Sequence, residues 1–196
     1  MTKLWGGRFT GNTDALVHRF NASIGFDVRL YDEDLTGSVA WAEALADAGL
    51  LTPIEFDILI EGLERVRHEF NDGEFLIQPG DEDIHSAVER RLTELVGEVG
   101  GKLHTGRSRN DQIATDFRLW IMRACDRLDA RLTDMQGSLL DNAAEALNLP
   151  MPGYTHLQHA QPVTWGHWLL SHFWPLARDR QRLAAVRQAS AVLPGW

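Results

Sequence analysis

Residues 110–147 read NDQIATDFRLWIMRACDRLDARLTDMQGSLLDNAAEAL, and this run decides the fold class. Ile113, Phe117, Trp120, Ile121, Ala124, Leu128, Met135, Leu139 and Leu147 recur at helical steps, and the pattern is nearly uninterrupted. At 1.5 Å of rise per residue the helix spans roughly 55 Å. A small domain cannot cover a helix of that length, so a long bundle completed by other subunits is expected. Arg118, Arg123, Arg127 and Arg131 along it read as a solvated face rather than a binding strip.

Immediately upstream, Lys102 to Asp116 reads KLHTGRSRNDQIATD and gathers two arginines, a histidine, a serine and an asparagine around Gly106. Ser108, with Asp111 three residues on, reads as an N-cap with an acidic first turn. Arg107, Arg109, Asn110 and the free backbone N–H groups then crowd one helix start, which carries partial positive charge and suits an anion such as a carboxylate. The same residues read equally well as a capped loop with solvated arginines.

Downstream, Pro150 and Pro152 end the long helix, and Gly153 to Pro162, GYTHLQHAQP, reads as a polar loop. Pro162 and Thr164 open another helix rich in aromatics (Trp165, Trp168, Phe173, Trp174). Pro175 falls inside that pattern, where it should kink or break the helix at a cost of about 3 kcal/mol.

Toward the N-terminus, residues 1–26 read as an irregular arm in which Trp5 and Phe9 need something to pack against. Residues 27–48 form a helix with Leu35, Val39, Ala42, Leu45 and Ala46 on one stripe and Gly49 as its stop. Thr52-Pro53-Ile54-Glu55 is a capping box, followed by Phe56, Leu59, Leu63, Val66 and Phe70. Asp81-Glu82-Asp83 gives an acidic start to a helix carrying Ile84, Val88, Leu92 and Leu95. His85 and Glu89 should share a face, either as a surface contact or as a contact supporting a site from behind, and as a metal pair they lack a third ligand nearby.

The formal net charge of −9 argues against nucleic acid as a partner, though a local arginine pair can still oppose the global sign for a small anion. Cys125 is the only cysteine, which excludes a disulfide framework within the chain. No stretch resembles a signal peptide or a membrane span, so a cytoplasmic protein without membrane association is expected. The glycines form no phosphate loop or dinucleotide fingerprint, and the His and carboxylate spacing gives no closed metal set.

The two polar loops flank one long helix, so they should meet only between antiparallel subunits. His156, between Thr155 and Gln158, has the setting of a proton-transfer residue, and equally that of a loop histidine bonded to backbone. Arg107 or Arg109 can bind a carboxylate bidentately, with Asn110 and Thr155 donating to the same anion. Such a cluster suits proton abstraction beside a carboxylate, because fixed donors stabilise the charge that gathers there.

Thr105 to Gln112 (TGRSRNDQ), Gly153 to Gln158 (GYTHLQ) and Ala160-Gln161-Pro162 resemble two signature regions of argininosuccinate lyase, in the fumarase/aspartase superfamily. Trp5 to Phe9 (WGGRF), Phe20 to Ile24 (FNASI) and Asp81 to His85 (DEDIH) match the same family in the same order, so the resemblance runs from residue 3 to about residue 194. His159 stands where the family usually carries a basic residue, a mild departure.

The resemblance implies an all-α fold: an N-terminal helical domain with an extended arm (1–109), then the first long helices of a central bundle (110–196). It also implies a homotetramer whose active sites are each built by three subunits. The implied reaction is β-elimination of argininosuccinate to L-arginine and fumarate, with no cofactor and no metal. His156 is then the catalytic histidine; Ser23, Asn110 and Thr155 bind substrate; Arg109 and Gln158 line the site, and His85 sits in or beside it.

The family's third signature, a Gly-Ser-Ser-x-Met-Pro loop that supplies the proton-abstracting serine, has no counterpart in the 196 residues. The resemblance therefore implies an N-terminal portion of the lyase, inactive as an isolated chain. Two alternatives are a non-catalytic helical assembly protein of the same fold and an adenylosuccinate lyase-like enzyme. The arginine-and-asparagine motif at 105–112 favours argininosuccinate.

Overall fold

The computed structural model describes residues 14–194. The readings at Trp5, Phe9 and their neighbours lie outside the described residues. The chain divides into two compact units, one up to Asp116 and one from Phe117 onward.

In the first unit, α1 (Ala15–Asn21) and α2 (Ile24–Asp27) lead through a 3₁₀ turn (Val28–Leu30) into α3 (Tyr31–Asp47). Then come α4 (Pro53–Asn71), α5 (Ile84–Val96), the short α6 (Val99–Lys102) and the first turns of α7 (Arg109–Glu145). The core lies where α3, α4 and α5 face one another. Leu35, Ala42 and Leu45 of α3, Leu59, Leu63 and Val66 of α4, and Ile84, Val88 and Leu92 of α5 are all buried there. Each large side chain in that set contributes roughly 1.5–3 kcal/mol by leaving water. Gly62 lets α4 and α5 close: a Cβ there would lie 2.6 Å from Val96 Cγ1 and 2.7 Å from Leu92 Cδ1.

The helix ends follow the local chemistry. The predicted helix over 27–48 begins as α2 and a 3₁₀ turn before α3 takes over. Gly49 adopts φ +72°, and its N–H and that of Leu50 bond back to Ala46 and Leu45 carbonyls, which closes α3 with a Schellman motif. Thr52 and Glu55 form the reciprocal capping box of α4. Asp83 caps α5 by accepting from Ser86 N at 2.6 Å. Asp81, two residues earlier, instead holds Arg90 bidentately, with both contacts at 2.8 Å.

The second unit contains the rest of α7, a hairpin of β1 (Pro150–Thr155) and β2 (Gln158–Thr164), and α8 (Trp165–Ser190). α7 is one 37-residue helix, as the sequence pattern required. Two expectations need correction. First, residues 153–162 are not a polar loop but part of an antiparallel ribbon, with Met151 opposite Val163 and Thr155 opposite Gln158. Its prolines obscured it. In a two-stranded ribbon both strands are edges, where a missing N–H is tolerated. The register shifts between Pro152 and Tyr154. A Cβ on Gly153 there would stand 2.7 Å from the Gln161 carbonyl oxygen, so only glycine fits.

Second, of the kink or break expected at Pro175 the break does not occur, since α8 continues through it as one helix. Gln136 of α7 is buried and donates to the Phe173 carbonyl at 3.2 Å, two residues before the proline. Arg180 in turn binds Gln136 and, through two contacts, Asp129. These side-chain bonds anchor α8 on both sides of the position where the backbone lacks a donor.

Candidate active site

Gly106 sits at the bend of the segment between α6 and α7, with φ +66°. α7 begins at Arg109, which leaves Ser108 at its cap position, and Gln112 N bonds Ser108 O at 3.0 Å. Asn110 is exposed on the first turn of α7, and Thr105 and Ser108 are exposed beside it. The two arginines do not share that exposure. Arg107 turns inward and donates from Nη1 to Ser38 Oγ of α3 at 2.9 Å. Arg109 donates from Nη2 to Glu89 of α5 at 2.5 Å and from Nη1 to Gln112 Oε1 at 2.9 Å. The reading of solvated arginines is therefore overturned.

Behind this segment lies a buried polar cluster that the sequence reading missed. Asp34 of α3, His85 of α5 and Asp116 of α7 are all at most 2% exposed. His85 Nδ1 lies 3.1 Å from Asp34 Oδ1 and 3.2 Å from Asp116 Oδ2. Gln112 Nε2 donates to Asp34 Oδ1 at 2.5 Å. One ring N–H thus faces two carboxylates, and among the described residues no other donor satisfies Asp116.

The electrostatics follow from that crowding. Burial alone would push His85 down, but hydrogen bonds and charge attraction from Asp116 and Asp34 outweigh it and raise its pKa to about 9. Burial and the neighbouring Asp34 charge raise Asp116 to about 6, against the lowering pull of His85. Asp34 is also penalised by burial, yet His85, Arg107 and Gln112 together hold it below the usual carboxylate value. Burial lowers the Arg107 pKa, opposed by Asp34 and Asp116.

The expected His85–Glu89 surface pair is not what forms. His85 faces inward, and Glu89 instead holds Arg109, with His104 Nδ1 3.7 Å away. Nor does His85 lack further ligand groups: Asp34 and Asp116 bring their oxygens close enough to its ring nitrogen to surround a cation. Sequence spacing could not show this, because the three residues come from three different helices. The adjoining cavity, of about 20 Å³, admits one water-sized molecule and no substrate.

Ser23 is half-buried, and its Oγ donates to Asp27 Oδ2 at 2.5 Å. Asp27 Oδ1 accepts from Ile84 N at 3.1 Å, and the Ser23 and Ile84 segments are further joined through Glu82 O. Ser23 is thereby tied to the start of α5, the helix that carries His85.

In the second unit, Thr155, His156 and Gln158 are exposed at the hairpin end. His156 and Leu157 are the two central turn residues, with φ +50° and +62°. Two positive φ values are what a type I′ turn requires, normally filled by Asn-Gly, which is why no turn signal was visible in His-Leu. Tyr154 Oη lies 3.1 Å from His159 Nε2, so the variant position 159 supports its own strand pair. The structure thus groups Ser23, His85, Arg109 and Asn110 in one unit, and Thr155, His156 and Gln158 in the other. A separate open groove of about 500 Å³ between α7 and α8, lined by Cys125, Asp129, Phe173 and Arg180 among others, contains none of these residues.

Residues 7–195 match the family model described as Lyase. The chain is 57% identical over 191 residues to an argininosuccinate lyase of Roseiflexus sp. (strain RS-1), covering 97% of this chain and 42% of that protein. It is 52% identical to an argininosuccinate lyase of Chlamydomonas reinhardtii, with 98% and 41% covered. The chain thus spans about two fifths of the length of the curated relatives it matches. Among solved structures it is similar in fold to EDDS lyase in complex with formate (TM-score 0.72, 24% identity, 94% of this chain and 37% of that one). It is likewise similar to the fumarate lyase:delta crystallin of Brucella melitensis (TM-score 0.71, 16% identity, 87% and 44%). From the family match across nearly its whole length, the chain belongs to the lyase family.

Proposed function

We propose that this chain is the N-terminal part of an argininosuccinate lyase, which splits argininosuccinate into L-arginine and fumarate by β-elimination. The observation that carries the reading is the identity of 51–57% to proteins of that name along nearly the whole chain. The exposed donors at the start of α7 and the exposed His156 tip fit it chemically. Asn110 and Thr155 hold a substrate carboxylate, with Ser23 and Arg109 near the same carboxylate-binding region. His156 exchanges a proton at the reacting end, and Gln158 orients the bound acid. In this reading the complete site draws on more than one subunit of a homotetramer, as the family resemblance implies. In functional terms, residues 1–109 are the N-terminal helical domain and 110–196 the opening of the bundle. No helix among the described residues is long and apolar enough to cross a membrane. A cytoplasmic location fits this reading.

A chimera tests the reading: residues 3–194 of this chain replace the matching part of the Roseiflexus relative, and fumarate release from argininosuccinate is followed by absorbance. We expect turnover, lost by at least a hundredfold in Asn110→Ala and His156→Asn. The 196-residue chain alone should release no fumarate. A folded chimera that binds no argininosuccinate overturns the assignment, and brisk turnover by the isolated chain overturns the shared-site reading.

A further inference from the structure

The buried cluster is not itself a substrate pocket, yet both arginines of the 105–110 segment trace back to it. One path runs from Asp34 Oδ1 through Gln112 Nε2, and from Gln112 Oε1 to Arg109 Nη1. The other runs through Arg107, which bonds Ser38 one helical turn beyond Asp34 and faces the charges of Asp34 and Asp116. Gly37 makes room for this second path. A Cβ there would stand 3.1 Å from Asp116 Oδ1 and 3.5 Å from Arg107 Nη2. The clustered charges balance, with two carboxylates against one imidazolium and one guanidinium, which is the condition for keeping ions out of water.

We infer that Asp34 and Asp116, bridged by His85, are positioning residues that fix Arg107 and Arg109 and thereby set the exposed Thr105–Asn110 segment at the start of α7. The local geometry disfavours a cation at the same place. Gln112 already donates to Asp34 Oδ1, the positive Arg107 stands alongside, and His85 Nδ1 sits at hydrogen-bond distance from both carboxylates. Asp34 from α3 and Asp116 from α7 act most strongly on His85, Asp27 acts on it at longer range, and Arg107 lines the same cavity as His85. Glu89, His104 and Arg109 line the adjoining cavity.

The inference rests on reading Thr105–Asn110 as part of the substrate site, but its test needs no catalysis, so the two can fail separately. In the 196-residue chain, amide hydrogen exchange is measured in segment 103–112 and in the α4 core. The His85 ring is titrated by its nitrogen NMR shifts. Asp116→Asn should accelerate exchange in the segment at least tenfold relative to the core and move the His85 titration down by at least one pH unit. Leu63→Ala, a core lesion, should leave the ratio of segment to core exchange unchanged. Equal acceleration of segment and core in Asp116→Asn, or an unmoved His85 titration, overturns the inference. Should Asp116→Asn not fold, Ser38→Ala decides it: selective loosening of 103–112 supports the inference and none overturns it. A higher melting temperature with added zinc ions, lost in His85→Gln, overturns it in favour of a cation site.

Discussion

His85 is the residue that joins the buried carboxylates of Asp34 and Asp116. Buried imidazoles ordinarily lose their proton, because desolvation penalises charge. Here two carboxylates at 3.1 and 3.2 Å reverse that preference. The sign of the consequence is fixed. A histidine whose folded pKa stands near 9, against 6.5 unfolded, adds stability that is complete below about pH 6.5 and is lost as pH climbs through 9. The raised Asp116 pKa acts in the same direction at lower pH, between its unfolded value and about 6, so its contribution is already gone at pH 7. Depressed Asp34 acts oppositely, adding stability that disappears only as pH falls into the acid range. Denaturant unfolding should therefore show less stability at pH 9.5 than at pH 7, by up to about 3 kcal/mol. That slope should be absent in His85→Gln, and an equal slope in both proteins would show that His85 is not the group responsible.

At the scale of elements, the hairpin carries the clearest local strain. Type I′ turns suit residues that tolerate positive φ, and each ordinary L-residue there costs roughly 1–2 kcal/mol. Leu157 is 99% exposed, so its side chain packs on nothing that offsets this cost. Leu157→Gly should stabilise the hairpin by about 1 kcal/mol, seen as slower amide exchange along β1 and β2, and faster exchange would disprove the strain. The same turn shows what sequence can and cannot disclose. The helices of the first unit were legible because their apolar spacing, capping residues and stop glycines all act within a few positions. Thr52-Glu55, Gly49 and the Leu59-Leu63-Val66 stripe each state their own role. The ribbon was not legible, because its prolines and its His-Leu turn contradict the local rules that strands usually obey. The acid cluster was hidden for a different reason. Asp34, His85 and Asp116 are ordinary polar residues on separate helices until packing brings them together. Of the proposed site residues, Asn110, Thr155 and His156 stand out through the motifs that carry them, whereas the inward turn of Arg107 and Arg109 depends on Ser38, Gln112 and Glu89.

For the whole molecule, the deciding contest is between apolar surface and net charge. In the second unit Phe117, Leu128, Met135 and Trp174 are each more than half exposed, and Trp165 and Trp168 are each more than a third exposed. An apolar set of this size on two long helices favours association, since burying each such side chain yields roughly 1.5–3 kcal/mol. Opposing it is the formal charge of −9 carried by every copy, a repulsion that salt screens within about 8 Å at physiological ionic strength. Short-range burial summed over several aromatic residues exceeds a screened repulsion between distributed charges. Association should therefore win, while the charge keeps the product soluble and of limited size. Sedimentation of the 22.1 kDa chain at about 10 μM, a concentration at which interfaces worth roughly 7 kcal/mol are half-formed, should give a discrete multiple of the monomer mass. Raising the salt should increase the associated fraction. A compact monomer that is indifferent to salt and binds no apolar dye would show that these faces are satisfied within one chain.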